Sequence, residues 1–177
     1  MKPKLIFLTA TIVLVALGAF VVTNKDQVKP KSGVVQTGDS KDASSPAAVD
    51  ININAAFAIY TNGTFRIFTA SMYHNLSADV FIESRNPNIV HVKRRGNTWG
   101  DFFKTLPMKL TRDCLTTGTG QTFCSSETQT LKFYINGQRV ENFLDREINQ
   151  NDQALITYGS ESDSEIKNQL EKVEGFL

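Results

Sequence analysis

The sequence predicts an α+β domain, a mixed sheet with one packed helix, preceded by a transmembrane helix and followed by a short C-terminal helix. Three observations predict this order. Residues 5–22 carry no charge, two-residue hydrophobic alternation recurs between residues 50 and 160, and a helical spacing interrupts it at residues 99–106. We therefore divide the chain into an anchor or signal segment (1–22), a linker (23–49), an α+β domain (50–160) and a terminal helix (161–177).

The first segment directs the rest of the chain across a membrane. Residues 5–22 follow Lys2 and Lys4, and at about 1.5 Å per residue they reach about 27 Å, close to a hydrocarbon core of about 30 Å. A cleaved secretory signal is the alternative, with Ala16 and Gly18 near the cut. Because the apolar run continues beyond that point, we favour an uncleaved single-pass membrane anchor. The two lysines then stay in the cytoplasm, and both interpretations make the domain extracytoplasmic.

The linker and the charge balance limit the classes of function. Residues 23–49 contain no aromatic residue and are rich in Lys, Asp, Ser, Gly and Pro, which predicts a disordered tether. Residues 1–22 hold two of the 19 Lys and Arg residues and none of the 18 Asp and Glu residues, so the remainder has a net charge of −1. A nucleic-acid-binding domain normally has a strong basic excess, so we expect no nucleic-acid partner.

Alternating segments between residues 50 and 160 predict strands, and two Asn-Gly pairs predict tight hairpin turns between them. The pairs are Asn62-Gly63 and Asn136-Gly137, and Asn151-Asp152 marks a turn before the last strand. The first hairpin is expected to continue through Phe65, Ile67 and Thr69. The other predicted strands are 79–83, 89–94, 108–115, 121–125, 130–135, 138–140 and 154–158.

Two segments have helical spacing. Trp99, Phe102, Phe103 and Leu106 form one face of a helix that Thr98 and Asp101 cap and that Pro107 ends. These aromatic residues are expected to pack on the sheet.

The second helical segment is the C-terminal one, residues 161–177. Ser162 and Glu165 form a capping pair, and Ile166, Leu170 and Val173 give a narrow apolar stripe. This amphipathic helix is expected to dock on the domain or on a partner.

Cys114 and Cys124 flank a Gly- and Thr-rich stretch that can turn back on itself. In an exported domain this arrangement predicts a structural disulfide. A redox-active pair is the alternative, although such pairs usually have Cys-x-x-Cys spacing at a helix start. A zinc site would need more ligands than these two cysteines and His74 or His91 obviously provide.

Other candidate binding residues are His74, in a predicted turn, His91, on a predicted strand, and the basic cluster Lys93-Arg94-Arg95. A joint histidine site or an anion site competes with an ordinary role for each residue, a hydrogen-bonded histidine or a polar strand end. The sequence has no catalytic triad order, phosphate loop, HExxH or paired-carboxylate motif, so we expect no catalytic residue, metal or cofactor.

Four stretches of the domain carry a resemblance to a known family. They are 96–103, the pair Cys114 and Cys124, 131–137 and 155–159. The chain resembles uncharacterised membrane-anchored proteins of uncultivated bacteria and archaea. Its second half, about residues 90–159, is similar to β-grasp domains related to the carboxy-terminal part of transcobalamin. The resemblance implies a β-grasp-like mixed sheet but attaches no catalytic residue to it. The relatives carry more histidines before the helix, where this chain has His91.

Together these observations predict a membrane-tethered, extracytoplasmic binding or interaction module, stabilised by one disulfide, with an unknown protein or small-molecule ligand. The alternative is a thiol-redox or metal-dependent enzyme that uses Cys114, Cys124, His74 and His91. The lack of a catalytic motif favours the binding module over an enzyme.

Overall fold

The computed structural model describes residues 51–177. The predicted membrane anchor and linker lie outside these residues. No helix within residues 51–177 has the length and apolar character needed to cross a bilayer. The strands are β1 (Ile53–Thr61), β2 (Thr64–Phe65), β3 (Val80–Ile82), β4 (Ile89–Val92), β5 (Lys109–Leu110), β6 (Cys114–Thr116), β7 (Thr122–Cys124), β8 (Thr130–Ile135), β9 (Gln138–Arg139) and β10 (Gln153–Gly159); the helices are α1 (Trp99–Thr105) and α2 (Asp163–Glu174).

The described residues form a mixed α+β fold with two sheets, which confirms the predicted class. The large sheet has the order β3-β4-β1-β10-β8-β9, with β2 also paired to β1. Its central strands β1 and β10 are parallel, and its other pairs are antiparallel. A small antiparallel sheet has the order β5-β6-β7. The sequence predicted one strand at 108–115 and one at 121–125, whereas the structure divides the first segment between β5 and β6.

The break within 108–115 has a local cause. The backbone N–H of Thr111 donates to the carbonyl of Cys114, and the backbone N–H of Cys114 donates to Oγ1 of Thr111. These two hydrogen bonds close a turn between β5 and β6. Thr111 therefore lies in a turn that separates β5 from β6.

The first hairpin is shorter than predicted because two partners share one edge of β1. Asn62 and Gly63 have φ of 50° and 73°, so the Asn-Gly turn itself is confirmed. β2 pairs only with Tyr60 and Thr61, whereas β4 pairs with residues 53–56 on the same edge. The chain beyond Phe65 therefore leaves the sheet instead of continuing through Ile67 and Thr69.

One face of the large sheet is packed with aromatic side chains. Phe133 and Trp99 both stack on Phe143, with ring centroids 5.0 and 5.5 Å away. Phe57 of β1 meets Phe102 of α1 edge to face at 5.2 Å. The prediction that the helix packs its aromatic residues on the sheet is confirmed.

Helix α2 covers the opposite face, where β1 presents small side chains. Ala56 and Ala58 are fully buried beneath Ile166 and Val173 of the helix. Small residues let the helix backbone approach the sheet closely. The predicted docking of the terminal helix on the domain is therefore confirmed.

A buried ion pair joins the sheet to the segment that leads into α2. Nζ of Lys132 lies 2.7 Å from Oε2 of Glu161, and their side chains are only 9% and 4% exposed. Lys132 also donates to the carbonyl of Gly159, and Thr157 donates to Oε1 of Glu161. Both charges are thus compensated, as buried charges must be.

Both helices begin with the predicted capping boxes. Thr98 and Asp101 exchange two backbone-to-side-chain hydrogen bonds of 3.1 Å, and Ser162 and Glu165 exchange two of 2.8 and 3.4 Å. The backbone N–H of Thr98 and the ammonium of Lys104 lower the pKa of Asp101. The hydroxyl and backbone N–H of Ser162 lower the pKa of Glu165. Each carboxylate therefore stabilises a helix N-terminus in its ionised form.

Candidate functional site

An apolar groove of about 240 Å³ opens on the aromatic side of the sheet. It lies between the segment that leaves β2 and the tip of the β6–β7 hairpin. Its lining consists of residues 65–68, residues 117–119, and Ile59, Tyr73, Met108 and Leu115. The groove therefore combines an apolar base with a rim that carries several hydroxyl groups and one guanidinium group.

The disulfide holds the hairpin that forms one wall of this groove. Cys114 and Cys124 are directly opposite each other on β6 and β7, and their sulfur atoms are bonded. The predicted disulfide is confirmed within the described structure. Leu115, the next residue of β6, is fully buried and contributes to the base of the groove. The cross-link thus fixes the strand on which the groove is built.

Gly118 lets the hairpin tip pack tightly against the opposite wall. A Cβ atom at this position would lie 2.9 Å from both the carbonyl oxygen of Pro107 and the hydroxyl oxygen of Tyr73. Any larger residue would push the tip away from Tyr73. A glycine here therefore keeps the groove narrow.

Arg66 is the charged residue of the groove. Its Nε donates to Oγ1 of Thr61 at 2.6 Å, and its Cζ lies 5.2 Å from the centre of the Phe123 ring. These two contacts fix the guanidinium plane. No carboxylate within residues 51–177 lies in ion-pair distance of it. Arg66 is therefore an oriented cation without an anionic partner in this part of the chain.

Exposed apolar side chains extend the groove onto the surface. Ile67, which lines it, is 67% exposed. Met72 is 46% exposed, and its Cε would lie 3.3 Å from a Cβ atom at Gly118. Two exposed apolar side chains therefore border the groove, and exposed apolar area next to a cavity is one mark of an interaction surface.

A second cavity, of about 310 Å³, lies between α1 and β5. Its charged lining residues, Lys104, Lys109 and Asp145, have both signs, and Lys104 is paired with Asp101. Unlike this larger cavity, the apolar groove combines an oriented cation with exposed apolar neighbours. We therefore treat it as the candidate site.

His74 and His91, the two residues of the predicted histidine site, have separate hydrogen-bond partners. The ring Nε2–H of His74 donates to the carbonyl of Phe68, and Nδ1–H of His91 donates to Oδ1 of Asn54. His91 also lies against Phe81, and its Nε2 is buried without a hydrogen-bond partner in the described residues. No cluster of three or more His, Cys, Asp and Glu residues suited to a metal ion occurs within residues 51–177.

The basic cluster lies in the turn that follows β4. Lys93 donates to Oδ1 of Asn52, and Arg94 forms a surface ion pair with Asp79 at 2.9 Å. Arg95 is exposed. Two of the three cations are thus engaged by neighbouring side chains, which matches the polar strand end weighed against an anion site in the sequence analysis. Anion binding by this cluster stays a prediction.

Sequence reasoning missed the groove because its walls come from distant segments. Arg66 and Ile67 were assigned to a continuing strand, and Thr117 and Gly118 were treated only as a turn between the cysteines. One local signal was available, because Phe68 is apolar at a position where the alternation of Phe65 and Ile67 predicts a polar residue. Comparisons with protein-family models, curated proteins and solved structures gave no significant match to this chain.

Proposed function

We propose that this protein is a membrane-tethered, extracytoplasmic interaction module that docks a partner protein in the apolar groove. The observation that carries the proposal is the groove itself, with the oriented cation Arg66 in its wall and Ile67 exposed at its rim. The uncharged run at residues 5–22 supports the membrane anchor. The disulfide between Cys114 and Cys124 supports an oxidising location.

The strand order supports a β-grasp domain as the scaffold of this module. β4, β1, β10, β8 and β9 lie side by side, with β1 parallel to β10 at the centre. Helix α1 comes between β4 and β8 along the chain. The resemblance to transcobalamin-related domains implies a helix followed by an aromatic strand, an Asn-Gly turn and a last strand, and α1, β8, Asn136-Gly137 and β10 follow in this order.

Site-specific photo-cross-linking of the full chain in its own cells tests the docking site. A photoreactive residue at Ile67 is expected to give a defined protein adduct. The same residue at Lys167, exposed on α2, serves as the matched control and is expected to give none. The substitution Thr119→Trp, which would fill the groove, should remove the adduct at position 67. Equal adducts at both positions, or none at either, would contradict the proposal.

Thiol chemistry separates the interaction module from the enzyme that the sequence left as an alternative. Protein isolated without reductant is expected to have no titratable thiol, because both cysteines are in the disulfide. Two reactive thiols, together with turnover that Cys114→Ser abolishes, would favour the thiol enzyme. The same preparation shows whether the N-terminal segment is retained when its intact mass is measured.

A further inference from the structure

We infer that the apolar groove recognises a peptide segment in which an apolar side chain lies close to a carboxylate, and that Arg66 binds this carboxylate. The inference rests on the proposed function and specifies the chemistry of the partner. Three features of the groove lead to this inference: the fixed orientation of the unpaired guanidinium, the volume of the groove and the exposed apolar surface around it.

Arg66 is prepared for a carboxylate. Its Nε is used by Thr61 and one face of its guanidinium by Phe123, so the hydrogen bonds left to make are those of its two terminal nitrogens. A guanidinium held in one plane loses little side-chain entropy when a carboxylate binds. Charge-assisted hydrogen bonds of this kind are shorter and about twice as strong as neutral ones. An anion is therefore the group that complements this wall.

The volume of the groove sets the size of the apolar group. At about 240 Å³ it is smaller than the range of about 300–1,000 Å³ in which most drug-sized ligands bind. It suits one or two large side chains of a peptide. The base, formed by Ile59, Phe68 and Leu115, offers no charged group to them. A branched or aromatic side chain would therefore anchor the peptide.

The surface outside the groove favours a peptide over a small amphiphile. Ile67 and Met72 expose apolar area at the rim that a ligand confined to the groove would leave in water. A protein segment would cover these side chains with its flanking residues. In protein interfaces a few anchoring contacts are surrounded by weaker ones. The exposed apolar area of Ile67 and Met72 beside the groove fits this arrangement.

Selection from a displayed random peptide library tests the inference on the full chain in lipid nanodiscs. Selected peptides are expected to share an apolar residue within a few positions of Asp or Glu. Replacing that acid by its amide should weaken binding to the wild type by about tenfold or more. The same replacement should have no effect on binding to Arg66→Gln. Arg66→Lys should recover part of the affinity, because it restores the charge without the planar fork.

Controls distinguish the loss of the site from the loss of the fold. Arg85→Gln removes an exposed arginine that does not line the groove, and should bind the peptides as the wild type does. Every variant is compared by its thermal unfolding midpoint. A binding defect in Arg66→Gln with an unchanged midpoint would support recognition by the guanidinium.

Other outcomes would overturn the inference, and they are distinguishable from a failure of the proposed function. Peptides that bind in the groove regardless of their acid would overturn the role of Arg66 and leave the interaction module standing. Binding of dodecanoate that depends on Arg66, with no peptide selected, would assign the groove to small amphiphiles. If deletion of residues 27–45 raised the affinity for the selected peptides, the groove would be assigned to the chain's own linker as occupant. No selected peptide and no cross-link at position 67 would remove both proposals.

Discussion

The two faces of the large sheet are packed in different ways, one with aromatic side chains and the other with small side chains beneath a helix. On one face Phe57 and Phe133 meet the aromatic residues of α1, and the small sheet adds a second, incomplete layer. On the other face Ala56 and Ala58 admit α2 closely, and a buried ion pair holds the chain that leads into it. The first face ends in an open groove, whereas the second is covered by one helix. The candidate binding surface is therefore on the aromatic face, where the small sheet and the segment after β2 leave a groove between them.

The largest loss of stability is expected when an aromatic side chain is removed from the aromatic face. Phe57→Ala should reduce the free energy of unfolding by about 4 kcal/mol, because the side chain is fully buried among other rings. Chemical denaturation monitored by circular dichroism measures it. The matched control is Ile67→Ser at the groove rim, where a change within about 0.5 kcal/mol is expected. Equal losses for the two variants would mean that the rim is part of the core.

The next effect concerns the covered face. Lys132→Met should cost about 3 kcal/mol, because it leaves Glu161 buried without its cation while Thr157 still donates to it. Adding Glu161→Gln to this variant should recover part of the loss, since no buried charge then remains. The same denaturation experiment measures both variants. A double variant no more stable than the single one would show that the lysine acts by packing alone.

Removal of the disulfide should have a smaller effect, confined to the side of the groove. Replacing both Cys114 and Cys124 by serine should reduce stability by between about 2 and about 3 kcal/mol, since the cross-link closes a short loop. Hydrogen exchange is expected to rise in residues 114–124 and to stay unchanged in α2. Increased exchange in α2 to the same degree would indicate that the two faces are coupled.

The smallest effect is the pH dependence of the helix caps. The pKa values of Asp101 and Glu165 are lowered in the folded chain, so their stabilisation is present above their ordinary values of 3.8 and 4.5 and is lost as the pH falls through the folded-state pKa values. Stability should therefore decrease as the pH is lowered through the acid range. The double variant Asp101→Asn, Glu165→Gln should show a shallower decrease in the same titration. An unchanged slope would contradict this role of the caps.

The sequence predicted those features that depend on local chemistry. Both capping boxes, the Asn-Gly turns and the disulfide were foreseen, because each depends on residues close in the chain. Features that depend on distant segments were missed or mispredicted. β2 ends early because β4, more than 20 residues later, occupies the same edge of β1.

The missed polar contacts have the same origin. Lys132 and Glu161 are 29 residues apart, and nothing in the local pattern of β8 indicates that its lysine pairs with a carboxylate just before α2. The groove likewise needs Arg66 beside Phe123. Hydrophobic periodicity identifies which face of an element is apolar, but it does not identify the segment that covers it.

The most direct test of the central claim is the labelling of single added cysteines, in sealed cells, by a maleimide that does not cross membranes. Lys167→Cys on the exposed surface of α2 should react in sealed cells, because the domain is proposed to be extracytoplasmic. Ile67→Cys should react more slowly there than in the purified full chain, because the partner covers the groove. The account would be contradicted if neither position reacted until the cells were broken, or if position 67 reacted as fast in cells as in the purified protein.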